Sequence, residues 1–205
     1  MSGAYAELRA AIAAHPDDAP VLVGEDSTWR AAALIDAVDE LAARLSGGQS
    51  LAVLADNSPS WVIADLAALA VGITHVPLPT FFNGEQLAHV LESAGVDTIL
   101  TDQPERIGAL DLGFAITGRW QGLIRLQRPA ASTPSTPVGT AKISFTSGST
   151  GSPKGACLAA CGLLDTARAV AARLAGTPVT RHLVTLPLSL LLENTAGIYA
   201  PLLRG

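Results

Sequence analysis

The sequence predicts an α/β fold in which largely parallel sheets are layered with flanking helices. Short apolar runs such as "LAVLAD", "THVPLP" and "VDTILTD" recur, each separated from the next by a stretch of ten or more residues carrying helix start and stop signals. Such alternation needs crossover connections, and therefore parallel strands with helices packed on them. The composition supports a large core, since 49% of the 205 residues are hydrophobic and only 15% are charged.

Apolar spacing of three and four predicts a first helix near Ala4 to Ala14, stopped by Pro16, and then a short apolar run, "PVLVG". In "STWRAAALIDAVDELAARLSGG", Leu34, Val38, Leu41 and Leu45 form one stripe, with Thr28 placed as N-cap and Gly47 as the C-terminal signal. "LAVLAD" reads as a buried strand. In the helix of "NSPSWVIADLAALAVG", Ser58 caps, Pro59 suits the first turn and Gly72 ends the element. "THVPLP", "NGEQLAHVLESAG" and "VDTILTD" follow as strand, helix and strand. From Gln103 to Leu126 the pattern weakens, and "DLGFAIT" and "GLIRLQ" fit either edge strands or loop.

"RPAASTPSTPVGT" is rich in Pro, Ser and Thr and reads as a flexible connection. The expected division is a first α/β subdomain over 1–128, a connection over 129–139, and the start of a second α/β part over 140–205. In that part "AKISFT" is strand-like, "ACL" continues as a strand and "AACGLLDTARAVAARLAG" is a helix closed by Gly176. "RHLVTLPL" then reads as a strand, and "LLLENTAGIYAPLLRG" as another apolar helix.

The net charge of −5, with no Lys/Arg cluster on any expected element, excludes a nucleic-acid surface. The N-terminus lacks a basic region followed by an unbroken apolar stretch, and no segment reaches membrane-spanning length, so the expected location is the cytoplasm. Cys157 and Cys161 have no second pair or nearby His to complete a zinc site and are expected to be small buried thiols. His15, His75, His89 and His182 form no spaced pair and are expected to be structural or exposed.

The chemistry concentrates in "SFTSGSTGSPKGA", Ser144 to Ala156, where six hydroxyl residues surround one of only two lysines in the chain. After a strand, such a loop can turn its backbone N–H groups outward as an anion nest. Glycines permit the close approach, hydroxyls donate to phosphate oxygens and Lys154 adds a mobile positive charge. The pattern departs from the G-x-x-x-x-G-K-[ST] loop, because Pro153 precedes Lys154 and Gly155 follows it. It also lacks the G-x-G-x-x-G spacing of dinucleotide sites.

"FTSGSTGSPKG" resembles the phosphate-loop signature of the adenylate-forming superfamily, which includes acyl-CoA synthetases, peptide-synthetase adenylation domains and luciferases. "LAVLADNSPSWVIADLAALAVGITHVPLPTFFNGEQLAHVLESAG" and "TWRAAALIDAVDELAARL" are similar to the segments those enzymes carry before the loop. Downstream, "LPLSLLLEN" resembles the LPLSHxxER stretch of long-chain fatty acyl-CoA ligases at Leu186, Pro187, Leu188, Ser189 and Glu193. The resemblance implies the N-terminal portion of the adenylate-forming fold and a two-step reaction. A carboxylic acid, fatty acyl in that subtype, attacks Mg-ATP to give an acyl-adenylate, and coenzyme A then takes the acyl group. It further implies that Thr146, Ser147, Gly148, Ser149, Thr150 and Gly151 wrap the β- and γ-phosphates. Lys154 would neutralise the pyrophosphate leaving group, and Thr146 would also serve magnesium.

Two positions depart from that pattern, Leu190 in place of His and Asn194 in place of Arg, so the acyl end of the site is expected to differ. Leu190, Leu191 and Leu192 suit either a hydrophobic acyl pocket or a plain core helix. Glu193 is expected to be a partly buried structural carboxylate. The resemblance covers only the first part of such an enzyme, and the chain stops inside an apolar helix. The expectation is therefore a truncated ligase, inactive alone, with an exposed apolar surface prone to self-association. Two other readings stand beside it: a short non-catalytic regulatory protein that keeps the phosphate loop, and an unrelated nucleotide-binding α/β protein whose loop is a solvated turn.

Overall fold

The computed structural model describes residues 2–129, 136–146 and 152–205 of the chain. Its centre is a seven-stranded sheet built from β3 (Ser50–Leu54), β4 (Thr74–Pro77), β5 (Thr98–Thr101), β6 (Ala115–Trp120), β7 (Leu123–Gln127), β8 (Thr140–Thr146) and β9 (Lys154–Ala159). The order is β6-β7-β5-β3-β4-β8-β9. The β5-β3-β4-β8 centre is parallel, while β7 and β9 run against their neighbours. Strands β1 (Leu22–Val23) and β2 (Thr28–Trp29) form a separate antiparallel pair. The expected α/β layering is therefore present, and the segments that the weak 103–126 signals left open are antiparallel strands, β6 at the sheet edge and β7 between it and β5. Strands β8 and β9 belong to the same sheet as β3 to β7.

Alternation along the strands separates two cores. Leu51 and Val53 face the side that also holds α1 (Gly3–Ala13), α2 (Ala31–Leu45), α3 (Pro59–Val71), α6 (Ala160–Leu174) and α7 (Ala200–Arg204). Ala52 and Leu54 face the other side, covered by α4 (Gly84–Ser93) and α5 (Pro104–Gly108). Helix α3 starts and stops as expected, because the Ser58 side chain accepts from the Trp61 N–H and Gly72 takes a left-handed φ of 78°. Trp61 and Leu66 on that helix are fully buried. Among the described residues, no helix is long and apolar enough to cross a membrane.

Three expectations fail for identifiable reasons, and a fourth element is helical as expected but in an unexpected geometry. Thr28 does not cap α2, since it pairs with Val23 in the small hairpin and leaves Arg30 at the N-cap. "RHLVTLPL" is not a strand: the Asn57 side chain donates to the Leu186 carbonyl at 2.8 Å and accepts from the Leu188 N–H at 2.8 Å, taking backbone groups a ladder would use. Pro187 could not donate to a ladder either. The last apolar stretch is helical as expected, but its first part is a π-helix, Glu193–Tyr199, running into α7. Pro201 removes one backbone donor and its ring crowds the carbonyl four residues back, so a wider turn relieves the clash. Cys157 and Cys161 are exposed, not buried, because β9 is an edge strand and α6 turns its outer face to solvent.

Candidate functional site

The hairpin of β8 and β9 carries the expected phosphate loop. Its last pair is Thr146 opposite Lys154, so the segment 147–153 closes from these two residues. Ser147, Gly148, Ser149, Thr150 and Gly151 lie outside the described residues. Thr146 and Lys154 are both exposed, and they bring a hydroxyl and an ammonium together at the mouth of the loop. This mouth stands beyond the carboxyl end of β8, where ligands bind in parallel α/β sheets. A donor set of hydroxyl and ammonium fits an anionic phosphate. Among the described residues, no group of three His, Cys, Asp or Glu could hold a metal.

Side chains on both sides of the hairpin fix the returning strand. Pro153 is buried, and the His89 Nε2–H of α4 donates to its carbonyl at 3.0 Å. Gly155 lies against β8, where a Cβ would come within 2.8 Å of Ile143 Cγ2 and 2.9 Å of Phe145 Cζ. The bare Gly155 backbone is what fits against that ring. Gly155→Ala is expected to lose about 2 kcal/mol of stability through overpacking, read as a lower urea midpoint; an unchanged midpoint would mean that Phe145 yields freely.

Alternation puts Lys142, Ser144 and Thr146 on one face of β8, and Ile143 and Phe145 on the other. Below the loop mouth on that first face lies a cluster that sequence reading missed. Asp65 of α3 accepts from His75 Nδ1–H of β4 at 2.5 Å, Asn194 Nδ2–H at 2.8 Å and Tyr199 O–H at 2.7 Å. It also pairs with Lys142 Nζ at 2.7 Å. Lys142 in turn donates to Asn194 Oδ1 and, at 3.3 Å, to Tyr199 Oη. All five residues are buried.

Burial alone pushes the Asp65 carboxyl up, but Lys142 and His75 beside it reverse this and hold it well below the usual carboxylate range. Burial, with Lys142 adding to it, lowers His75 against the pull of Asp65, so the ring is neutral. Burial also lowers Lys142 against the pull of Asp65. Burial and the Asp65 charge push the Tyr199 hydroxyl well above its ordinary value. The sequence signal for this cluster was the chain's other lysine, Lys142, placed inside the strand-like "AKISFT".

The segment resembling LPLSHxxER lies on the same side of the sheet. Leu188 packs into the core there. Glu193 is buried and its Oε1 accepts from His182 Nε2–H at 2.9 Å, so a histidine reaches this carboxylate from outside the motif. Gly197 leaves room for the pair, since a Cβ there would come within 2.8 Å of His182 Nε2. Asn194 turns into the buried cluster, Leu190 and Leu191 are half-buried, and Leu192 is exposed.

The sequence profile described as AMP-binding enzyme matches residues 8–205. The hybrid PKS-NRPS synthetase xenE of Xenoacremonium sinensis is 31% identical over 164 residues, which is 74% of this chain and 4% of that protein. Among solved structures, the o-succinylbenzoate CoA synthetase MenE of Bacillus subtilis, in complex with an acyl-adenylate intermediate, superposes with a TM-score of 0.69 at 21% identity. That match covers 97% of this chain and 53% of the other. The amide bond synthetase McbA of Marinactinospora thermotolerans superposes with a TM-score of 0.75 at 23% identity, covering 100% of this chain and 43% of the other. The chain thus spans about half the length of these solved neighbours and a small part of the synthetase. Matched by that profile over nearly its whole length, the chain belongs to the AMP-binding enzyme family.

Proposed function

We propose that this chain is the phosphate-holding N-terminal part of an ATP-dependent ligase that activates a carboxylic acid as its adenylate. The pairing of Thr146 with Lys154 at the mouth of a Gly/Ser/Thr loop carries the reading. In the reaction, a carboxylate oxygen bonds to the α-phosphorus of ATP as the bond to the bridging oxygen of pyrophosphate breaks. Lys154, with the hydroxyls and N–H groups of residues 146–151, neutralises the charge that the leaving group gains. Magnesium, when bound, would supply further neutralisation, and Thr146 is the residue proposed to hold it. The acyl group then passes to a thiol, coenzyme A in the acyl-CoA ligase form of the proposal.

The acid is proposed to be fatty acyl. Leu186, Leu190, Leu191 and Leu192 give the segment apolar surface, and Leu186 and Leu192 remain exposed. The similarity to a peptide synthetase favours a second reading with an amino acid as substrate. An α-ammonium would need an anionic partner, however, and the one carboxylate in the 186–194 segment is already held by His182. ATP–pyrophosphate exchange by the full-length ligase, run with fatty and amino acids, separates the two.

Lys154→Ala is expected to weaken Mg-ATP binding roughly ten- to a hundred-fold, the loss of one charge-assisted contact. Calorimetric titration of both proteins checks this, and equal affinities would remove Lys154 from the site. Exchange activity by the 205 residues alone would overturn the proposed division of labour. Exposed Val179, Leu183, Leu186 and Leu192 are the proposed place for self-association, and sedimentation as a monodisperse monomer would refute it.

A further inference from the structure

The buried cluster below the loop has a geometry that core filling does not require. Exchanging a buried ion pair for apolar side chains of similar volume is often neutral or stabilising. Around Asp65 and Lys142 the core already holds Trp61, Leu66 and Ile198, so leucines could close it. The pair, itself drawn from α3 and β8, instead collects polar side chains from two further elements, β4 and the π-helix.

The π-helix explains how two of them arrive. Asn194 and Tyr199 are five residues apart. In an α-helix, at roughly 100° per residue, they would point about 140° away from each other. In a π-helix the fifth residue bonds back to the first, so positions five apart come close to one face. Both side chains can then reach the same carboxylate: Asn194 Nδ2–H at 2.8 Å and Tyr199 O–H at 2.7 Å, both to Asp65 Oδ2. Lys142 closes the arrangement from the other side through Asn194 Oδ1 and Tyr199 Oη. With Asn194 turned inward, its neighbour Glu193 reaches His182. Lys142 and Thr146 share one face of a single strand, about 13 Å apart along it.

We propose that Asp65, Lys142, Asn194 and Tyr199 are positioning residues that latch the π-helix to the stem of the phosphate loop. The latch holds the 186–193 segment in fixed register with Thr146 and Lys154. The functional meaning of that register rests on the ligase reading above, whereas the mechanical coupling does not.

The test is the double variant Asn194→Leu/Tyr199→Phe, which cuts both links from the π-helix while leaving Asp65 paired with Lys142 and His75. Amide hydrogen exchange is measured on the ligand-free chain. The latch predicts exchange roughly ten- to a hundred-fold faster in two places, residues 190–200 and the β8–β9 pairs next to Thr146, with α2 and β3 to β5 unchanged. Loosening confined to the π-helix, or no loosening, overturns the proposal. If the double variant does not fold, Tyr199→Phe alone preserves shape and must accelerate both places in the same direction, or the latch is wrong. Mg-ATP titration of the wild-type chain separates the two claims. Coupled loosening without nucleotide binding overturns the ligase reading and leaves the latch, while binding without coupled loosening overturns the latch alone.

Discussion

Lys142→Met is expected to cost about 3 to 5 kcal/mol of folding stability, because it leaves the Asp65 carboxylate buried without its countercharge. Asp65 is 1% exposed and Lys142 2%, so water reaches neither. Three neutral donors would remain on Asp65, from His75, Asn194 and Tyr199, but none carries a full positive charge in the native cluster. The neutral double variant Asp65→Asn/Lys142→Met is expected to recover at least half of the loss. Its amide oxygen, in the place of Oδ2, still accepts from Asn194 and Tyr199, and its new N–H group in the place of Oδ1 donates to Nδ1 of the neutral His75 ring. Urea unfolding followed by tryptophan fluorescence measures all three proteins. A single variant as stable as wild type would mean that Asp65 is uncharged in the native state, contrary to the four donors that surround it.

This result bears on what the sequence could and could not disclose. Helices α2, α3 and α4, the strands between them and the strand–loop–strand stem of the site were legible because local signals set them. Ser58, Pro59 and Gly72 mark the ends of α3 by backbone chemistry alone, and a Gly/Ser/Thr loop with one lysine carries its own account. The failures lie where a distant residue decides. Asn57 captures Leu186 and Leu188 across about 130 positions of chain, which no pattern within "RHLVTLPL" reveals. Asp65, His75, Lys142, Asn194 and Tyr199 span 134 positions from first to last and share no motif. Asn194 was visible as a departure from the ligase pattern, read as a change at the acyl end. Its side chain instead ends on Asp65 and Lys142, so the departure belongs with two other residues that only the fold brings together. Cys157 and Cys161 show the reverse limit, since small apolar-looking residues are exposed when one lies on the edge strand β9 and the other on the outer face of α6.

Stability is expected to fall as pH drops below about 6.5, with His75 responsible. Its native pKa lies below the ordinary 6.5, because burial and the Lys142 charge together outweigh the pull of Asp65. Between the two values the unfolded chain binds a proton that the native protein does not, so acid favours unfolding. One such proton gives a slope of about 1.4 kcal/mol per pH unit. Asp65 adds a second loss at lower pH, since its native pKa is also held below the ordinary 3.8. Its contribution is present above that value and disappears as pH falls through the native one. Tyr199 acts at the alkaline end, where a raised native pKa makes the unfolded chain lose its proton first, so stability declines above about pH 10. The discriminating variant is His75→Phe, which keeps a ring against Trp61, whose centroid lies 5.4 Å from that of His75. Asp65 retains three donors in that variant. Urea midpoints taken at half-unit steps from pH 7.5 to 4.5 should slope downward below 6.5 in the wild type and stay nearly flat in the variant. Equal slopes would assign the acid sensitivity to other groups, and a flat wild type would mean that His75 is already protonated beside Asp65.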